Sequence, residues 1–114
     1  MTETFQPEKR RRSGRVVIRI PVEVQGTAEG GSEFRESAHT GVIGGFGAMI
    51  RTSQALEIGT ETLITNRFSQ QTARFRVVWV GDLLPDSVWE IGVEALEPLD
   101  DFWGVRFPSV PESH

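Results

Sequence analysis

A period-two alternation of apolar and other residues restricts this chain more than any other feature. Val16, Ile18, Ile20, Val22 and Val24 alternate with Val17, Arg19, Pro21, Glu23 and Gln25. Ala73, Phe75, Val77 and Trp79 alternate with Arg74, Arg76, Val78 and Val80. Trp89, Ile91, Val93 and Ala95 alternate with Glu90, Gly92, Glu94 and Leu96. Successive side chains of a strand point to opposite faces, so this period builds sheet with one buried face. The β-branched content points the same way.

The remaining stretches complete an all-β pattern. Pro21 has no N–H to give to a ladder, so it belongs at an edge, a bend or a bulge. Residues 26–32 read as a loop, and residues 34–42 as a second strand with a polar middle. Gly44-Gly45-Phe46-Gly47 interrupts the chain, and residues 48–51 resume an extended segment. A turn over residues 52–60 contains Gly59, a residue suited to positive φ. Residues 61–66 form a short strand. The two long alternating runs that follow read as a hairpin, with a loop from Gly81-Asp82 to Pro85-Asp86. Leu99 to Gly104 is expected to make a short C-terminal helical turn that caps the fold with Phe102 and Trp103. Six short strands separated by turn signals predict a small six-stranded antiparallel β-barrel, which also removes exposed sheet edges. The expected organisation is a disordered leader over residues 1–8, a barrel domain over 9–107 and a frayed tail over 108–114.

A chain of 114 residues fits one domain. It has no apolar run long enough to span a bilayer, no apolar signal segment and no cysteine. A cytoplasmic protein without membrane insertion is expected. The net charge of −4 is unevenly placed. Lys9, Arg10, Arg11, Arg12, Arg15 and Arg19 put +6 within residues 9–19, which leaves −10 for the rest. Such a contrast argues against a nucleic-acid coat, which needs a broad basic face. It fits a focused anion site at the root of the first strand, because guanidinium groups are planar forks that match phosphate. The bland alternative is a solvated basic arm with no defined ligand.

Catalysis has little to build on, and no catalytic or metal-ligating residues are assigned. His39 and His114 are the only histidines, and no metal-ligand spacing surrounds them. No serine, threonine or lysine lies in a nucleophile motif. Gly44-Gly45-Phe46-Gly47 reads first as a tight turn or bulge between two strands, and second as bare backbone that a flat ligand can approach. No helix pattern follows it, so it is not a dinucleotide fingerprint. Residues 42–50 also resemble the glycine loop of KH modules, but that loop lies between helices and this one lies between strands. Trp79, Trp89 and Trp103 fit core or cap positions; one stacking tryptophan near arginines would also suit a purine.

Arg11-Arg12-Ser13-Gly14-Arg15 directly before Val16-Val17-Ile18-Arg19-Ile20-Pro21-Val22 resembles the start of PilZ domains. Those domains carry an Arg-x-x-x-Arg motif ahead of their first strand, here Arg11 and Arg15. Gly47-Ala48-Met49-Ile50 looks like the end of the second PilZ motif. Arg76-Val77-Val78-Trp79-Val80-Gly81 and Glu90-Ile91-Gly92-Val93-Glu94 look like the late hairpin, and Asp101-Phe102-Trp103-Gly104 like the terminal element of some members. The resemblance spans residues 9–107. It implies a six-stranded barrel that binds cyclic di-GMP, a bacterial second messenger, and relays to an effector protein, with no enzymatic activity and no cofactor. The implied ligand-binding residues are Arg11, Arg12, Arg15, Val42, Gly44, Gly45, Gly47 and Trp79. The family's second motif, Asp or Asn-x-Ser-x-x-Gly, falls on residues 42–47, where Val42 replaces the acid or amide and Gly44 the serine. Neither can hydrogen-bond a guanine edge through its side chain. That departure implies the alternative of a PilZ-like interaction module that does not bind the nucleotide.

Overall fold

The structure is a computed structural model that describes residues 14–28 and 30–105. The expected leader, the expected tail and the predicted site residues Arg11 and Arg12 lie outside the described residues. Among the described residues seven strands form: β1 (Arg15–Val17), β2 (Pro21–Thr27), β3 (Glu33–Gly44), β4 (Gly47–Thr52), β5 (Glu61–Asn66), β6 (Thr72–Leu83) and β7 (Trp89–Ala95). All pairings are antiparallel, and the order β3-β2-β5-β6-β7-β4 closes because β4 pairs back onto β3. The result is a closed six-stranded barrel, with β1 as an additional strand on the far half of β3.

The first alternating run is therefore two strands, not one. Residues 18–20 bend between β1 and β2, and Pro21 opens β2, where its missing N–H removes no bond from a continuous strand. Thr40 holds the bend. Its hydroxyl donates to the Ile18 carbonyl at 2.7 Å and accepts from the Ile20 N–H at 2.9 Å, while its own N–H donates to the Ile20 carbonyl at 3.0 Å. One buried threonine on β3 thus satisfies the backbone groups that the break in the ladder would orphan.

Alternation along the strands sends Ile20, Val22, Val24, Ile43, Ile50, Ile64, Phe75, Val77, Ile91 and Val93 into the barrel. One end is plugged by Phe102 and Trp103, which pack on Phe75 with ring centroids 5.7 and 6.2 Å away. The two plug rings meet nearly edge to face at 4.8 Å and 81°. Buried Asn66 ties the plug to the wall: its amide N–H donates to the Phe102 carbonyl at 2.9 Å, and its side-chain oxygen accepts from the Phe68 N–H at 2.9 Å. The expected helical turn is a single turn, closed by the Phe102 N–H on the Leu99 carbonyl at 3.4 Å, and no helix occurs among the described residues. Gly59 has φ of 98°, and its N–H donates to the Val77 carbonyl at 2.7 Å, which continues the pairing toward β6 past the turn.

Among the described residues three register shifts interrupt the ladders, one of them late in β6 between Val80 and Leu83, and the other two turn residues of the outer wall. The register of β3 against β4 shifts between Thr40 and Val42, and that of β6 against β7 shifts between Val77 and Trp79. Gly41 and Val78 are the extra residues. A bulge inserts one residue without a partner and reverses the facing of everything beyond it. Beyond Gly41, Ile43 turns inward and Val42 outward. Beyond Val78, Val80 pairs with buried Ile91, and Trp79 turns outward opposite Gly92.

Candidate functional site

The outer face of the wall formed by β1, β3, β4, β7 and β6 carries residues in cross-strand rows. Val17, Val42, Met49, Gly92 and Trp79 make one row. Beside it lie the pairs Arg15 with Gly44 and Gly47 with Glu94. On the other side, His39, Arg51 and Glu90 make a third row, in which Arg51 donates to the Glu90 carboxylate at 3.1 Å. Over the first two rows lies a cleft of about 360 Å3, lined among others by Arg15, Val42, Gly44, Gly45, Gly47 and Trp79.

These are all the predicted site residues that the structure describes. Arg15 is exposed at the start of β1, and its side chain runs over Gly44, where Cγ would sit 3.8 Å from a Cβ. Val42 forms floor rather than wall, half-buried against Met49. Gly45 and Phe46 make the β3–β4 turn, where the Phe46 carbonyl accepts the Ala95 N–H at 2.8 Å and leaves the ring 63% exposed. Gly47 is fixed by packing: a Cβ there would lie 2.1 Å from the Val93 carbonyl oxygen. Only a residue without a side chain lets β4 run this close to β7.

Trp79 is 45% exposed, whereas Trp103 is buried in the plug. Its indole lies over two glycines: a Cβ on Gly92 would stand 3.3 Å from the Trp79 Cβ, and a Cβ on Gly81 would stand 2.8 Å from its Cη2. The ring is thus held on bare backbone, running from Gly92 toward Gly81 and the Glu90 carbonyl, and Trp79 borders the cleft. The Val78 bulge is the cause, because unbroken alternation would have put Trp79 on the core side with Phe75 and Val77.

Sequence reasoning missed Phe46, Met49, Val78 and Glu94 as lining residues. The signal for Glu94 was present in part, since it shares a strand face with Gly92. What was not legible was that β7 lies next to β4. Of the described residues that line the cleft, Arg15 and Glu94 are the two with charged side chains, and none carries a hydroxyl or a carboxamide. The arrangement offers a cation at one side, a carboxylate at the other, an aromatic face and an apolar floor with glycine backbone beside it. Among the described residues, no group of three or more His, Cys, Asp or Glu could hold a metal ion, and no helix is long and apolar enough to cross a membrane. No family model, no curated protein and no solved structure matches the chain.

Proposed function

We propose that the protein is a cytoplasmic cyclic di-GMP receptor of PilZ type, a non-enzymatic adaptor that passes its ligand state to a partner protein. The observation that carries this reading is the gathering of Arg15, the glycine backbone of residues 44–47 and the Trp79 ring around one cleft. A cation and an aromatic ring bordering one cleft suit a purine nucleotide: the guanidinium pairs with phosphate and the indole stacks on base. Arg11 and Arg12 precede Arg15 in the sequence and add to the positive charge of that stretch. Isothermal titration with cyclic di-GMP tests the reading. Saturable heat at micromolar ligand is expected, and Arg15→Ala should lower affinity about 10- to 100-fold, the worth of a charge-assisted contact. Silence at high micromolar ligand overturns it.

A second reading is favoured by the floor of the cleft. Val42 and Met49 are apolar, and Phe46 and Trp79 stand exposed beside them. An apolar patch rimmed by charge also suits a protein partner. In that case the titration is silent, and a partner is held through Phe46 and Trp79 regardless of nucleotide.

A further inference from the structure

We propose that two copies of this chain associate through the barrel end that carries the plug, each seating Phe68 in an apolar, acid-rimmed hollow of the other. The inference stands apart from the nucleotide reading, because Arg67, Phe68, Leu99 and Asp100 do not line the Arg15 cleft. Topology gathers three pieces at this end. The turn over residues 67–71 joins β5 to β6. Leu96 donates its N–H to the Arg74 carbonyl at 2.9 Å, so residues 96–100 leave β7 alongside the start of β6. The β3–β4 turn is next to them, because the Ala95 N–H donates to the Phe46 carbonyl at 2.8 Å. Phe46 and Phe68, the two exposed phenylalanines among the described residues, therefore stand at the same end.

Phe68 is 75% exposed, and it is held out rather than left loose. Its N–H donates to the Asn66 side-chain oxygen at 2.9 Å, and the Gln70 N–H donates to the Asn66 carbonyl at 2.7 Å. The Gln70 side-chain amide donates to the Arg67 carbonyl at 2.7 Å, and the Arg67 N–H to the Pro21 carbonyl at 3.0 Å. These bonds also hold Gln70 at φ of 66°, a left-handed conformation that a residue with a Cβ rarely adopts. An aromatic fixed on a rigid turn loses little freedom on binding, and such side chains carry much of the energy of small interfaces. The hollow has a volume of about 470 Å3 and is lined by Phe46, Leu96, Pro98 and Leu99, with Glu97 and Asp100 beside them. A cavity of about 150 Å3 already holds benzene, so a phenyl ring fits.

Charge selects the occupant. Arg67, beside the protruding ring, donates to the Ser37 hydroxyl at 3.0 Å and pairs with no carboxylate among the described residues. The Asp100 carboxylate, beside the hollow, has no hydrogen bond or ion pair among the described residues. One surface offers a ring with a cation, the other an apolar hollow with an anion. Both lie on one end of the same chain, so a twofold axis between facing ends seats both rings at once and closes the assembly at two copies. The exposed ion pair orients the contact, and the rings supply most of the affinity.

Sedimentation velocity of the protein from about 10 µM to about 1 mM tests this, and a small interface predicts a dimer that dissociates at roughly 10 to 100 µM. Phe68→Ser should weaken association by about 10-fold or more, and it removes an exposed ring, so the fold is kept. Arg67→Asp and Asp100→Arg should each weaken association. The two together in one chain exchange the charges at both contacts and should recover it. A monomer at the highest concentration, association that Phe68→Ser leaves unchanged, growth past the dimer, or a double reversal no better than its single variants overturns the proposal.

Discussion

Gly47 shows how one residue can match a ligand motif for a reason that needs no ligand. It is the single position that agrees with the second motif of the family the sequence resembles, yet a methyl group on it would collide with the Val93 carbonyl. Gly47→Ala should therefore cost about 3 kcal/mol or more, at the upper end for overpacking, because the obstacle is backbone and cannot rotate away. Gly41→Ala is the control: its Cβ would have its nearest neighbour at 4.0 Å, and its stability should stay within about 1 kcal/mol of wild type. Urea denaturation of the two variants checks this. Trp79 is the opposite case, a large apolar residue on the outer face, held flat by glycines at 81 and 92 rather than packed in the core. The presence of an aromatic residue was legible in the sequence. Its facing was not, because a single extra residue at Val78 decides it.

Among the elements, β1 matters most for the site and has the least support of its own. It has three residues and pairs only with β3, yet it carries Arg15. Its position depends on the bend at residues 18–20, and that bend depends on the Thr40 hydroxyl. Thr40→Val keeps the shape and removes both bonds. It should lower stability by about 1–3 kcal/mol, the cost of leaving a buried N–H unpaired, and weaken ligand binding by loosening β1. Thr40→Ser should restore both properties. Thermal melts and nucleotide titration of the two variants separate the hydroxyl from the methyl. The sequence placed Pro21 at an edge, a bend or a bulge, and a bend is adjacent to it. It held no sign that the partner for the bend would come from residue 40, because that contact joins positions 20 residues apart. The late hairpin was more legible, since β6 and β7 are neighbours in sequence and in space.

For the whole molecule, the barrel is completed by a plug that follows its last strand. Phe102 and Trp103 fill the end of the barrel against Phe75, and Asn66 fastens them from β5. Trp103→Ala should remove about 3–5 kcal/mol of unfolding free energy, the usual loss for a buried aromatic, with an unchanged denaturant slope if unfolding stays two-state. A domain of this size has only about 5–15 kcal/mol in total, so the variant should sit near the edge of folding. The cleft is 360 Å3 of space on the opposite side of the wall from this core. Loss of the plug should therefore reach the cleft only through global unfolding. The sequence by itself determined that the chain is all-β, where most of its strands fall and, away from the break before Pro21 and the bulges, which residues fill the interior, because period-two patterning and turn residues act locally. It also determined that positive charge is concentrated before the first strand. Tertiary structure alone decided that β4 closes onto β7, that two bulges turn Val42 and Trp79 outward, and that Arg15 and Glu94 line one cleft. Those outcomes depend on pairings between distant segments and on register, and register is set by the fit of the closed barrel rather than by any one strand.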